Sequence, residues 1–203
     1  MTPADLADLI RTRAKDRAGR YMVAVAGPPG AGKSTVAADL VRLIGPGSRV
    51  VPMDGFHYDD AVLDAQGLRA RKGAPDTFDA AGFGHLVTRL ATEAEVAIPI
   101  FDRSMELSRA AADIVGENDR ILVFEGNYLL LDEDPWRALA GRFDLTVMLA
   151  VGEEELTRRL TARWLHYGKT PAAAADWIAS NDLPNIRRVL QGSRPADISL
   201  ANE

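Results

Sequence analysis

Ala24–Thr35 reads AVAGPPGAGKST and contains Gly27-x-x-x-x-Gly32-Lys33-Ser34, a complete Walker A pattern. The residues before it, Tyr21–Ala26 (YMVAVA), are apolar and few enough for a buried strand. After it, Val36, Leu40, Leu43 and Ile44 recur at helical spacing. Strand, loop and helix in that order is the setting the motif requires. Glycines let the backbone approach a phosphate closely, so several N–H groups can point at one anion. The start of the helix adds partial positive charge. Gly27, Pro28, Pro29, Gly30, Ala31, Gly32, Lys33, Ser34 and Thr35 are the expected nucleotide-phosphate loop. Lys33 would reach the β- and γ-phosphates, and the Ser34 hydroxyl would ligate Mg²⁺.

Composition narrows the partners. The 203 residues are 47% hydrophobic and 26% charged, which suits one domain spanning the chain. A net charge of −5 sets up no broad attraction to nucleic acid or to an anionic membrane. The absence of cysteine excludes disulfides and thiolate metal sites. Asp5 and Asp8 fall where a secretory signal would be apolar, and no run reaches the length of a membrane span. A cytoplasmic protein with a small-molecule partner is the expectation.

Two carboxylates close strands. Arg49–Met53 is a short strand ending in Asp54. In an open α/β sheet ligands bind beyond the carboxyl ends of strands, so Asp54 stands where chemistry occurs. It would accept a proton from an attacking hydroxyl or help hold Mg²⁺. Ile121–Phe124 (ILVF) is a second such strand, and Glu125 ends it at the Walker B position. There Glu125 would hold Mg²⁺ through water or orient the nucleophile. Asp144 sits at the start of the strand Phe143–Val151, the wrong end for chemistry, and reads as structural.

Other segments would build the rest of the pocket. Phe56 and His57 offer aromatic surface with a polar tip. Arg71 and Lys72 lie in a basic, turn-terminated segment able to clamp anions. Residues 59–99 form an insertion expected on the acceptor side. Its end, Val96–Phe101, has Pro99 inside and reads as an edge strand leading to Asp102. Asp134-Pro135-Trp136 reads as a helix start. Arg159 and Arg163 lie on a helix and Lys169 in its exit loop, so residues 154–170 would form a basic helical lid over the transferring phosphate. Pro171–Leu190 is a helix interrupted near Asn181–Asn185, and Ile198–Ala201 is a last strand. The fold class expected is α/β: a doubly wound, parallel five-stranded sheet in a P-loop NTPase three-layer sandwich. Its strand order would be Arg49–Met53, Ile121–Phe124, Tyr21–Ala26, Phe143–Val151, Ile198–Ala201.

Together GPPGAGKST (Gly27–Thr35), PMDGFHYDD (Pro52–Asp60), RKGAPDTFD (Arg71–Asp79), IPIFDRS (Ile98–Ser104), FEGNYLLL (Phe124–Leu131), RRLTARWLHYGKT (Arg158–Thr170), SNDLPN (Ser180–Asn185) and ADISLAN (Ala196–Asn202) resemble the P-loop kinases that include phosphoribulokinase, uridine kinase and pantothenate kinase. The set is most similar to bacterial nucleoside/nucleotide kinase-like and fructose transport-system kinase (fructokinase-like) proteins. The resemblance implies ATP and Mg²⁺ as cofactors, an alcohol of a small metabolite as acceptor, and by analogy a homodimer. It implies Asp54 as the catalytic carboxylate, Lys33 and Ser34 as phosphate and metal groups, and Glu125 as the acidic group of the neighbouring strand. Arg159, Arg163 and Lys169 match the lid's basic positions, and Asp102 falls in the acceptor segment Pro-x-Tyr-Asp. Phe101 replaces that tyrosine, and Glu106 stands where uridine kinases carry histidine. A nucleotide-driven ATPase or GTPase switch is the alternative reading, although no Asn/Thr-Lys-x-Asp guanine motif is present. A sugar, a nucleoside or a pantothenate-like alcohol all remain open as acceptor.

Overall fold

A computed structural model describes residues 1–202. Helix α1 (Pro3–Ala14) starts at Thr2, whose hydroxyl accepts from the Asp5 N–H while the Asp5 carboxylate accepts from the Thr2 N–H. This reciprocal cap satisfies two amides that a helix start leaves without partners. Strand β1 (Tyr21–Ala26) leads through the glycine-rich loop into α2 (Lys33–Ile44). Strand β2 (Ser48–Pro52) runs into a single 3₁₀ turn, Met53–Phe56. Helices α3 (Asp60–Ala65) and α4 (Ala80–Thr92) follow, then β3 (Val96–Asp102), β4 (Leu107–Val115) and β5 (Ile121–Gly126). The chain continues through β6 (Leu145–Ala150), α5 (Glu153–His166), α6 (Pro171–Trp177), α7 (Leu183–Gly192) and β7 (Ile198–Ala201).

The main sheet has five strands in the order β2–β5–β1–β6–β7, with every neighbouring pair parallel. That is the order expected from the sequence. Both central strands, β1 and β5, are buried throughout, and helices cover both faces. Alternation along β1 sends Met22, Ala24 and Ala26 into a cluster with Phe83 and Leu90 of α4, Phe124 and Trp136. Tyr21, Val23 and Val25 face the other way, into a cluster with Leu6 and Ile10 of α1, Leu40 of α2 and Leu160 of α5. Each fully buried leucine of this kind contributes about 2 kcal/mol by leaving water. Asp144 is structural, as expected: its Oδ2 accepts from the Met22 N–H at 2.8 Å and Oδ1 pairs with Arg17.

Register sets the ends of the strands level. Glu125 pairs with Val25 on one side and Pro52 on the other. The loop after β1, the turn after β2 and the end of β5 thus emerge side by side at one edge.

Val96–Phe101 is an edge strand, as expected: β3 and β4 pair antiparallel in a separate two-stranded sheet. Pro99, which has no N–H to donate, sits where the register shifts between Ile98 and Ile100. Strand β4 has no counterpart among the expected elements, because its middle, Ala110–Ala112, lacks the branched residues that mark strands. Asp134-Pro135-Trp136 opens a single 3₁₀ turn, Trp136–Leu139, rather than a full helix. The interruption in Pro171–Leu190 is a π-helical turn, Ile178–Asp182, joining α6 to α7 without a break.

Candidate active site

A cavity of about 730 Å³ opens at the edge where β1, β2 and β5 end. One wall is the glycine-rich loop. Gly30 and Gly32 both have positive φ, near 82° and 83°. At Gly32 an added Cβ would lie 2.7 Å from Asn202 Nδ2 and displace that side chain, and the positive φ itself favours glycine. Helix α2 starts here with no side chain capping it. Its first amides are left for an anion. Pro29, Gly30, Gly32, Lys33, Ser34 and Thr35 line the cavity. Gly27 and Ala31 pack beneath them, with Gly27 against Leu149. Pro28 contributes its carbonyl, which accepts from Lys33 Nζ at 3.0 Å.

Lys33 is partly buried in the cavity wall, and desolvation lowers its pKa to about 8, opposed by the charges of Glu125 and Asp54. It makes no ion pair among the described residues. A partly desolvated ammonium held by one carbonyl is a group that a phosphate would satisfy. Glu125 is 7% exposed and its Oε1 accepts from the Ser34 hydroxyl at 3.0 Å. Burial raises its pKa, Asp54 adds to that, and Lys33 opposes it. Asp54, on the 3₁₀ turn after β2, lines the same cavity. Among the described residues no three His, Cys, Asp or Glu side chains cluster as a metal site. One hydroxyl with one or two carboxylates is instead the donor set that suits Mg²⁺ shared with phosphates. Ser34, Glu125 and Asp54 fit that ion.

The α5 side of the cavity carries Arg159, Arg163 and Lys169. Arg159 donates to Glu155 Oε1 at 2.6 Å and to the Asn202 carbonyl at 2.8 Å. Arg163 lies over the rings of Trp164 and Tyr167, at 5.4 and 5.8 Å from their centroids. Lys169 lies over Trp164 and Trp177, at 5.4 and 4.8 Å. Neither Arg163 nor Lys169 forms an ion pair among the described residues. Trp164 Nε1 donates to Asp182 Oδ2 at 2.7 Å, which ties α5 to the π-helical turn.

The opposite end of the cavity is balanced in charge. Lys72 is 8% exposed and pairs with Asp60 at 2.7 Å and Glu106 at 3.3 Å. Arg69 pairs with Asp60, and Arg103 with Asp54. His57 stacks on Phe78 with ring centroids 4.0 Å apart and packs against Phe101. Burial lowers its pKa to about 4, so the imidazole is neutral near pH 7. Its Nδ1 is buried without a hydrogen-bond partner. Asn181 and Asn185 complete this end, with Asn181 donating to the Lys72 carbonyl at 2.9 Å.

Besides Gly27, Pro28 and Ala31 of the phosphate loop, three more residues expected at the site lie outside the cavity lining. Phe56 packs edge-on against Phe83 at 5.3 Å, in the core. Arg71 pairs with Asp76 at the surface, and its neighbour Arg69 reaches the cavity instead. Asp102 is used in the β3–β4 turn: its Oδ1 accepts from the Ser104 hydroxyl and from the Ser104 and Met105 N–H groups. Arg103, Asn181, Asn185, Trp164 and Trp177 line the cavity without having been singled out from sequence. For the asparagines, the signal was a polar Asn-Asp pair interrupting a helical pattern.

A parallel sheet with a glycine-rich phosphate loop, two strand-end carboxylates and a basic helix beside an open cavity defines a P-loop small-molecule kinase. The chain belongs to the phosphoribulokinase/uridine kinase family, whose model matches residues 22–185. Its nucleotide is accordingly ATP. It is 35% identical to the Escherichia coli "Uncharacterized protein YggC" over 88% of this chain and 76% of that protein. It is also 35% identical to the Schizosaccharomyces pombe "Putative uridine kinase C227.14", over 89% of this chain and 83% of that one. A crystal structure from Silicibacter sp. TM1040, described as a "putative fructose transport system kinase", superposes with TM-score 0.94 at 41% identity, covering 98% of both chains. No helix among the described residues is long and apolar enough to cross a membrane.

Proposed function

We propose that this kinase transfers the γ-phosphate of ATP to a hydroxyl of an uncharged polyhydroxylated acceptor, a sugar such as fructose or a nucleoside. The observation that carries this reading is the division of charge within the cavity. At the acceptor end, Arg69, Lys72 and Arg103 are each matched by Asp60, Glu106 or Asp54. At the phosphate end, Lys33, Arg163 and Lys169 form no ion pair among the described residues, with the carboxylates of Glu125 and Asp182 in the same wall. An anionic acceptor would need an unmatched cation where none stands. An uncharged one needs hydrogen-bonding groups and an apolar face. Neutral His57, Asn181 and Asn185 supply the first; Phe78 and Phe101 supply the second. The fructose-related name of the Silicibacter protein and the uridine-related name of the yeast protein both belong to uncharged polyols.

In the reaction the acceptor oxygen bonds to the γ-phosphorus and its proton passes to Asp54. The bond from the γ-phosphorus to the bridging oxygen breaks, and ADP leaves with the bonding electrons. Lys33 and the α2 amides hold the phosphates in line; Arg159, Arg163 and Lys169 exclude water and offset charge. Mg²⁺, held by Ser34 with Glu125 or Asp54, would offset charge on the β- and γ-phosphates when bound. Residues 59–99 serve the acceptor side and residues 154–170 the lid.

The test is ADP release from ATP with Mg²⁺ against fructose, other sugars, nucleosides and pantothenate, with a no-acceptor control and Lys33→Ala as blank. Release that depends on an uncharged polyol supports the reading. Release that is equal with and without every acceptor favours a nucleotide-driven switch, and preference for pantothenate overturns the uncharged acceptor. Asp54→Ala should bind ATP and lose turnover.

A further inference from the structure

The β3–β4 hairpin leans on the turn that carries Asp54, and several contacts bind the two together. At Gly55 an added Cβ would collide with the Pro99 carbonyl, so backbone meets backbone there. The Ser108 hydroxyl donates to the His57 carbonyl at 3.3 Å. The Phe101 ring lies 4.9 Å from the His57 imidazole. At the tip, Arg103 Nη2 donates to Asp54 Oδ2 at 2.6 Å.

An exposed ion pair usually contributes little to stability. This pair is only partly exposed: 46% for the Arg103 side chain and 25% for Asp54. It also stands in the cavity wall that holds Lys33 and Glu125. Phe101 adds a second restraint, with its ring 5.9 Å from the guanidinium carbon. A carboxylate that takes a proton must keep one oxygen turned toward the hydroxyl. A short, charge-assisted hydrogen bond to the other oxygen removes the rotation that would turn it away.

We propose that Arg103 is a positioning residue for phosphoryl transfer, holding Asp54 Oδ2 so that Oδ1 is kept for the acceptor hydroxyl. The proposal rests on the reading of Asp54 as proton acceptor. Arg103 acts through Asp54, and its hairpin is separate from the loop that holds ATP. Loss of the guanidinium should therefore slow turnover and spare ATP binding.

The experiment compares wild type, Arg103→Ala, Arg103→Lys, Asp54→Asn and the double variant Arg103→Ala/Asp54→Asn. The assay follows ADP release from ATP with Mg²⁺ and whichever of D-fructose, D-ribose, uridine or glycerol gives the fastest wild-type rate. Where none accelerates release, the slow hydrolysis with water as acceptor is followed instead. Arg103→Ala should lower kcat at least tenfold with KM for ATP within threefold, which also reports an intact fold. Arg103→Lys should fall between it and wild type, and added guanidinium ion should restore part of the rate of Arg103→Ala. The double variant should be no slower than Asp54→Asn. A wild-type kcat in Arg103→Ala, or losses that multiply in the double variant, overturns the proposal. A wild-type rate in Asp54→Asn overturns instead the reading of Asp54 beneath it.

Discussion

The Ser34 hydroxyl donates to Glu125 Oε1 at 3.0 Å, joining the first turn of α2 to the end of β5. Both are hard oxygen donors in the cavity wall, and Glu125 is the more buried partner. Glu125→Gln keeps the shape and removes the charge. It is expected to raise the Mg²⁺ concentration for half-maximal activity at least tenfold, a loss of ~1.4 kcal/mol in metal binding, while ATP still binds. A Mg²⁺ titration of ADP release reads the shift, and an unchanged midpoint would remove Glu125 from the metal site.

Lys33 titrates near pH 8 in the free protein because burial disfavours its charge. Above that pH the free protein loses the ammonium that meets the phosphates, so kcat/KM for ATP should fall as pH rises through 8. Bound phosphates favour the charged form, so kcat at saturating ATP should hold to higher pH. Parallel pH profiles of the two parameters check this. Identical alkaline limbs would mean that Lys33 does not govern ATP capture.

Arg163 and Lys169 rest on the faces of Trp164, Tyr167 and Trp177. Meeting the phosphates would lift these cations from the rings. Tryptophan emission is expected to change when ATP binds and the change to vanish in the double variant Trp164→Phe/Trp177→Phe. Trp136, buried in the core, should contribute a constant background. Wild-type emission unchanged by ATP would show that these cations stay in place.

His57 carries a pKa of about 4 in the folded chain against 6.5 in a model peptide. The unfolded chain therefore takes up a proton between these values and the folded chain does not. Stability from this group is complete above pH 6.5 and declines as pH falls toward 4, by at most about 3 kcal/mol. Urea unfolding of wild type and His57→Gln across pH 4–7 isolates the effect. Wild type should lose more stability over that window than the variant, and equal losses would refute the shift.

What sequence revealed of the site was whatever is local. The phosphate loop, Asp54 and Glu125 each stand at the end of a short apolar run, and the sheet carries them together without further information. Phe56 and Asp102 neighbour such positions and Arg71 lies in a basic, turn-terminated segment, yet each has a closer partner: Phe83 for Phe56, Ser104 for Asp102 and Asp76 for Arg71. Arg103 went unselected for the opposite reason. Its partner Asp54 is 49 residues away, and only the hairpin brings them together. The strand that completes that hairpin is alanine-rich in its middle, so its pairing was illegible too. Arg20 ends a run of cations (Arg11, Arg13, Lys15, Arg17, Arg20) that by sequence alone reads as a solvated face. Five of its hydrogen bonds reach backbone carbonyls at Leu90, Glu93, Ala94, Gly116 and Asp119, a role no periodicity announces.

The pairing of β1 with β5 joins Tyr21 to Ile121, about one hundred residues apart in the chain. Lys33 and Ser34 come from the first of these regions and Glu125 from the second. During synthesis the phosphate loop thus emerges long before the carboxylate that completes it. Contacts of such wide separation are slow to form, because a large loop must close before they reward the chain. A nascent chain lacking β5 would have no neighbour between β1 and β2, and its two apolar strands would be open to the wrong partners. Recovery of ATP turnover after dilution from denaturant should consequently trail recovery of helix, with full activity marking the moment the middle of the sheet closes.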